Sequence, residues 1–282
     1  MTAIIIPAAN TRPICPKLLD DLLYSIVRGG YVDKWKIVVC FDNCGELFVE
    51  QFQKRYPFID SLVNIANNIQ FAANANNGLR YAHNLGHDCF VLNQDTIVPK
   101  IEHLDKVRGK GLATPFPLDC DEPGKSPDEI QDELNAWCEA PRRIVVKTPS
   151  IKFGGFCMYL SKELMDKIGY LDQGFIATFE DDDVCVRANL AGFPVEEVNI
   201  PVHHYIKNRN NSIVETSTGA YNSARMQIAM YRFRLKWLIP PEIEHPEFNS
   251  WILCKGKFEN RSKELLEQGL VWPVWDKEMK CL

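Results

Sequence analysis

Ala3-Ile4-Ile5-Ile6-Pro7-Ala8-Ala9-Asn10 opens the chain with an unbroken apolar run that gives way to a proline, small residues and an amide. Continuous rather than alternating apolarity is the pattern of a strand buried on both faces, here entering a loop at Pro7. Leu18, Leu19, Leu22, Leu23, Ile26 and Val27 follow at helical spacing within residues 17–28. Lys36 to Phe41 reads as a second buried strand, ending at Asp42-Asn43-Cys44-Gly45. A helix over 46–55, a strand over 61–65, a helix over 71–85 and a strand over 88–92 continue the alternation, the last ending at Asn93-Gln94-Asp95-Thr96. Strands alternating with helices imply βαβ units, an α/β fold and a mostly parallel central sheet flanked by helices. Ligands of such sheets bind beyond the carboxyl ends of the strands. Three of those ends carry polar residues: Asn10 with Arg12, Asp42 with Asn43, and Asn93 with Asp95.

The pattern then changes. Residues 117–150, rich in Pro, Asp and Glu, read as a long loop or insertion with one short helix. A strand over 153–160 follows, then a helix capped by Ser161 with Leu164, Met165 and Ile168 as its buried face. The spacing predicts a helix over 181–191 closed by Gly192, a strand over 195–198 leading to Pro201-Val202-His203-His204-Tyr205, and an aromatic, basic helix over 218–238. From Pro240 onward the tail carries Trp251, Trp272 and Trp275.

Composition narrows the function classes. A chain of 282 residues, 46% hydrophobic and 24% charged, has material for a substantial core. Its formal charge of −5 argues against charge-driven binding of nucleic acid. The start lacks the basic and apolar regions of a signal peptide, and no run reaches the ~18–20 apolar residues of a membrane-spanning helix. Ten cysteines lie scattered without CxxC pairs, several of them (Cys40, Cys89, Cys157) in strand-like runs. They read as buried free thiols in a reducing, cytoplasmic setting rather than a zinc site. The run Tyr231-Arg232-Phe233-Arg234-Leu235-Lys236-Trp237 has two readings: peripheral contact with a membrane surface, or a helix packed on the core with its Lys and Arg reaching outward, which we prefer.

Four constellations bear on chemistry. Asp95, just past a buried strand, suits a Mg²⁺ or Mn²⁺ that also holds a diphosphate, or else caps an Asp-Thr turn. His203 and His204 include an imidazole able to complete that metal site; the alternative is a structural pair. In Phe179-Glu180-Asp181-Asp182-Asp183-Val184-Cys185-Val186-Arg187, four consecutive carboxylates raise one another's pKa and so poise a general base, and they also favour a helix N-terminus. The stretch from Asn67 to Gly78 combines small residues that admit a ligand with amides that read a base edge; a plain Asn-rich cap is the alternative.

In order, these pieces resemble the family 2 glycosyltransferases of GT-A fold, in particular the rhamnosyltransferase-like branch. Ile4–Asn10 is similar to that family's first strand and donor loop, and Val38–Asn43 to its second strand. Phe71–Gly78 resembles "GFAxxxNxG", Leu92–Thr96 resembles "LNxDT", and Gly154-Gly155-Phe156-Cys157-Met158 resembles the acceptor-side "GGxxM". The acidic run falls on "FEDxDLCxRAxxAG", and His203-His204 on a late metal-binding His. The resemblance covers residues 3–237, with Asn93, Gln70 and Asp182 departing from the pattern. It implies a glycosyltransferase domain over 1–238 (nucleotide-binding half about 1–98, acceptor half about 99–238) and a helical extension over 239–282.

The resemblance further implies metal-dependent, inverting transfer of a sugar from a UDP- or dTDP-linked donor to a glycan, lipid-linked or protein hydroxyl. Asp181 would be the base, with Glu180 or Asp183 positioning the acceptor beside Gly154 and Gly155. Pro7, Ala8, Asn10, Arg12, Asp42, Asn76, Gly78, Asn93 and Gln94 would hold the donor. Asp95 with His204, favoured over His203, would hold Mn²⁺ or Mg²⁺. A nucleotidyltransferase would carry a Gly-rich basic loop after the first strand, where only Arg12 stands. A silent nucleotide-sugar or glycan-binding protein would be expected to have lost Asp95 or the Glu180-Asp181 pair, and both are present.

Overall fold

A computed structural model describes residues 1–10, 13–64, 70–118, 125–140, 154–175, 178–205, 224–237, 239, 243 and 246. Its strands are β1 (Thr2–Ala9), β2 (Lys36–Asp42), β3 (Ile59–Val63), β4 (Asp88–Leu92), β5 (Thr96–Ile97), β6 (Leu112–Pro117), β7 (Cys157–Leu160) and β8 (Val195–His204). They form one sheet in the order β3-β2-β1-β4-β7-β6-β8-β5. The pairs β1–β2, β1–β4, β2–β3 and β6–β8 are parallel; β4–β7, β6–β7 and β5–β8 are antiparallel. The fold is therefore α/β with a mixed, mostly parallel sheet.

The opening run is unbroken because both faces of β1 are covered. Ala3, Ile4, Ile5 and Ile6 are all fully buried. Successive side chains of a strand point to opposite faces. Ile4 and Ile6 thus join Leu19, Leu22 and Ile26 of helix α1 (Cys15–Arg28), while Ala3 and Ile5 join Ala75 and Leu79 of α3 (Phe71–Asn84). Each fully buried Ile contributes roughly 1.5–3 kcal/mol. Helix α3 approaches the sheet closely: a Cβ at Gly78 would lie 2.4 Å from Ile5 Cγ2 and 2.7 Å from Cys40 Sγ. The thiols of Cys40, Cys89 and Cys157 are free and buried, and burial pushes them up, Cys40 to about 12.

Helix α2 (Glu46–Arg55) has the predicted bounds. α4 (Ile101–Leu104) follows β5, and α5 (Pro127–Glu139) occupies much of the segment read as a loop. At 13 residues α5 exceeds the one short helix expected there. Ser126 and Glu129 close a capping box at its start. Arg28 of α1 clamps it through Asp128 (2.8 Å) and Asp132 (2.7 Å), and Gln131 Nε2 donates to Ser25 O and Val98 O at 2.8 Å each. α6 (Lys162–Ile168) has the predicted Ser161 cap, whose hydroxyl accepts from Leu164 N–H, and α7 (Glu180–Leu190) ends before Gly192 at φ +86°.

β3 lies two residues earlier than expected and β7 begins at Cys157, after a turn at 154–156; β6, β5 and β8 depart further from the sequence reading. β6 was not expected, because Pro115 and Pro117 break its pattern. It pairs with β7 only through Leu112 and Ala113, and its register against β8 shifts between Pro115 and Phe116, where a missing N–H is tolerated. β5 is too short to show a period. β8 runs to His204 instead of ending at Val198, so both histidines lie on a strand and not beyond one.

Helix α8 (Ala224–Trp237) buries Ala229, Phe233 and Trp237, while Arg232 and Lys236 reach Asp172 at 3.0 and 2.7 Å. This is the core-packed form of the two readings. No helix among the described residues is long and apolar enough to cross a membrane. Most of the tail from Pro240, with its three tryptophans, lies outside the described residues.

Candidate active site

At the carboxyl ends of the parallel strands, β1 runs two residues beyond Pro7, pairing Ala9 with Asp42. Ala9 N–H donates to Gln94 Oε1 at 2.7 Å, and Asn93 N–H donates to Phe156 O at 2.9 Å. The ends of β1 and β4 are thereby tied to the turn at 154–156 that precedes β7. Asp42 closes β2 and is buried; Asn43 after it sits at φ +54°, a left-handed value that Asn tolerates. Pro7 and Ala8 lie buried within β1, and Asn10 is half-buried just past it. Arg12 is outside the described residues.

The register between β5 and β8 places Thr96 opposite His204 and Ile97 opposite His203. His204 Nε2 lies 3.4 Å from Asp95 Oδ1, and the Phe156 ring stacks on the imidazole at 5.0 Å and 13°. His203 is fully buried, with Nδ1 donating to Leu118 O at 3.1 Å and its ring edge-on to Tyr205. Neighbours on a strand point to opposite faces, so only one of the two can join Asp95. His203 lies on the buried face of β8, and His204 is the one that meets Asp95.

Asp95 and His204 form a two-membered donor set, and no group of three His, Cys, Asp or Glu able to hold a metal exists among the described residues. That number fits an ion that takes its remaining ligands from a substrate diphosphate and water. Two further atoms at this strand end, Asn93 Oδ1 and Gln94 Nε2, are buried without hydrogen-bond partners among the described residues. Buried polar groups are nearly always satisfied, so a bound polar ligand would complete them.

The acidic run forms the first turn of α7. Phe179 before it takes φ +72° and packs on Phe233 of α8 at 5.2 Å. Asp181 Oδ2 accepts from Gly155 N–H and its Oδ1 from Asp182 N–H, each at 3.0 Å. Glu180 is buried, and desolvation together with the charges of Asp181 and Asp183 pushes its carboxyl up to about 8. Asp183 turns the other way. It is fully buried and bonded to Arg187 Nε (2.8 Å), Trp237 Nε1 (3.0 Å) and Lys236 Nζ (2.6 Å). These bonds join α8 to α7 through the Asp183 carboxylate.

The two donor-site expectations on α3 fall on residues with interior neighbours. Asn76 is buried, its Nδ2 donating to Leu171 O at 2.8 Å and its Oδ1 accepting from Leu171 N–H at 3.0 Å. Gly78 is the close-packing position described above. Asn74 and Asn64 continue this interior amide network: Asn74 Nδ2 donates to Cys40 O (2.9 Å) and Asn64 Nδ2 to Asn74 Oδ1 (2.6 Å). Asn67 and Asn68 lie outside the described residues.

The turn at 154–156 is the hub. Gly155 holds Asp181 on one side, and Phe156 stacks on the His204 imidazole on the other. Thr114 Oγ supports it from β6, 3.2 Å from Gly154 O and 2.8 Å from Cys157 O. The sequence reading missed Phe156 and Ala9 as site residues. Phe156 stands inside the quoted "GGxxM" segment, but nothing in a sequence tells that its ring meets a histidine 48 positions later. A depression of about 890 Å³ lies at the opposite end of the sheet, beside Asp88, Lys110, Lys162 and Glu196. Its charges pair among themselves, as Lys110 with Glu196 and Lys162 with Asp166.

No protein-family model matches the chain, and no curated protein matches it significantly. Among solved structures it is similar to S. aureus TarS 1-349 in complex with UDP-GlcNAc, with a TM-score of 0.54 and 14% identity over 96% of this chain and 84% of that one. It is similar also to the mannosyltransferase PcManGT from Pyrobaculum calidifontis in complex with GDP-Man and Mn²⁺, with a TM-score of 0.52 and 14% identity over 95% and 79%. Of the longer S. aureus TarS structure it spans 50%, at a TM-score of 0.51. At such identities the likeness establishes the fold, a GT-A-like α/β architecture.

Proposed function

We propose that the chain is an inverting, metal-dependent glycosyltransferase of family 2 type that moves a sugar from a nucleoside diphosphate sugar to a hydroxyl acceptor. The observation that carries this reading is the 154–156 turn, which gathers a carboxylate, Asp181, and a metal-type pair, Asp95 with His204, at one end of the sheet. The acceptor would be a glycan, lipid-linked or protein hydroxyl. The nucleotide sugars named with the structural neighbours, UDP-GlcNAc and GDP-Man, and the Mn²⁺ of one of them, support a donor and cation of these classes.

In a single displacement the acceptor O–H passes its proton to Asp181, the acceptor oxygen bonds to the anomeric carbon, and the bond from that carbon to the diphosphate oxygen breaks. Attack opposite the leaving group inverts the centre. Asp95 and His204 would hold a divalent ion, which would neutralise the charge that grows on the diphosphate. The backbone of Gly155 fixes Asp181 in place before substrate arrives, so the base needs no reorganisation. Asp42 and the end of β1 hold the nucleoside, and Gln94, anchored by Ala9, offers its Nε2 to the donor.

A thermal-shift panel of UDP-, dTDP- and GDP-sugars with and without Mn²⁺ tests this. A ligand at about a hundred times its Kd adds about 2.7 kcal/mol of stability, a readily measured rise in Tm. The expected result is a Mn²⁺-dependent rise with the sugars of one nucleotide class. No rise with any member of the panel contradicts the reading.

A further inference from the structure

Glu180 and Asp181 are adjacent carboxyl groups in unlike surroundings. Asp181 accepts two backbone N–H bonds, which suit an ionised, acceptor-only carboxylate. Glu180 is 8% exposed, and its Oε2 has no hydrogen-bond partner among the described residues. On its own helix the carboxyls of Asp181 and Asp183 flank it. The cations that reach this turn, Arg187 from within α7 and Lys236 from α8, bond to Asp183. On α6, Lys162 pairs with Asp166, and on β8, Glu196 pairs with Lys110 at the far end of the sheet. Among the described residues this buried carboxyl meets no counter-ion, and a carboxyl so placed neutralises by keeping its proton.

We infer that Glu180 is protonated at neutral pH and acts as a neutral hydrogen-bond donor that positions the acceptor hydroxyl against Asp181, leaving Asp181 the single base of the pair. The inference rests on the transfer reading above. Burial, reinforced by the two neighbouring negative charges, raises the Glu180 carboxyl from 4.5 to about 8, in the direction this requires. Adjacent titratable groups pushed apart by their environments are the usual mark of divided acid and base roles.

Two readouts need no substrate. The infrared spectrum of the wild type near neutral pH should contain a protonated-carboxyl C=O band that fades above about pH 8 and is absent from Glu180→Gln. The raised pKa also sets a stability trend. Because the folded-state value lies above the unfolded one, the wild type loses this group's stability as pH rises from 4.5 through about 8. The Tm of Glu180→Gln should therefore match the wild type near pH 4, showing an intact fold, and exceed it by at least about 3 °C near pH 9. With an active donor, Glu180→Gln should keep at least about a tenth of kcat and lose the alkaline fall in rate, because the amide retains a donor that cannot ionise. Absence of the band, or a loss of kcat as deep as that of Asp181→Asn, overturns the proposal alone. Absence of transfer with every donor overturns it together with the reading on which it rests.

Discussion

Gly155 lacks a side chain because Asp181 occupies the place where one would stand. A Cβ there would lie 2.8 Å from Asp181 Oδ2 and 3.2 Å from its Cγ. The atoms in the way belong to a half-buried side chain that can swing, so Gly155→Ala should cost little stability while displacing the carboxylate. We expect a Tm within about 3 °C of the wild type and kcat lower by about a hundredfold, since an error near 1 Å in a reacting group costs about that much. Calorimetry and a transfer assay check the two halves. Motif and chemistry single out Asp95, Asp181 and His204, and the structure places Asp95 beside His204 and ties Asp181 to Gly155. The interior partners of Asn76 and Asp183 were not legible, because a motif gives a residue's place along a helix but not the face it turns to. The structure spends both side chains on internal hydrogen bonds. Gln70, which stands where the resembled family has Gly, keeps a glycine-type backbone at φ +77°, ψ 159°. Conformations of that kind store about 1–3 kcal/mol.

At the scale of elements, α8 is joined to α7 through one buried carboxylate. Removing its charge by Asp183→Asn leaves Arg187, 4% exposed, without its anion and takes one of two carboxylates from Lys236, which keeps Asp172. We expect a loss of about 3 kcal/mol, read as a lower urea midpoint in equilibrium unfolding. Loss of less than about 1 kcal/mol would show that α8 is held by its aromatic contacts instead. The same scale shows what the sequence made legible. β1, β2 and β4 were readable because burial on both faces leaves an unbroken apolar run. β6 was hidden by two prolines that its irregular pairing tolerates, and β5 by its length of two residues. β8 was cut short because Asn199 and Pro201 interrupt its pattern, although its pairing continues to His204.

For the whole molecule, the parallel strands β3, β2, β1 and β4 form one side of the sheet, and β7, β6, β8 and β5 the other. The first side supplies Asp42, the end of β1 and the loop with Asp95; the second supplies Gly155, Phe156 and His204; α7 adds Glu180 and Asp181. The alternation of strands and helices announced the first side. The second side required tertiary pairings that no local period encodes, above all β5 against β8, which brings His204 to Asp95. On the proposed reading, this assembled site transfers a sugar with Asp181 as its base. The most direct test compares wild type with Asp181→Asn for transfer from a nucleoside diphosphate sugar in the presence of Mn²⁺, with Mn²⁺-dependent nucleotide binding measured in parallel. We predict that Asp181→Asn folds and binds as the wild type does but loses at least about a hundredfold in kcat, the lower range for a general base. Transfer at a near wild-type rate by a folded Asp181→Asn protein would contradict the account.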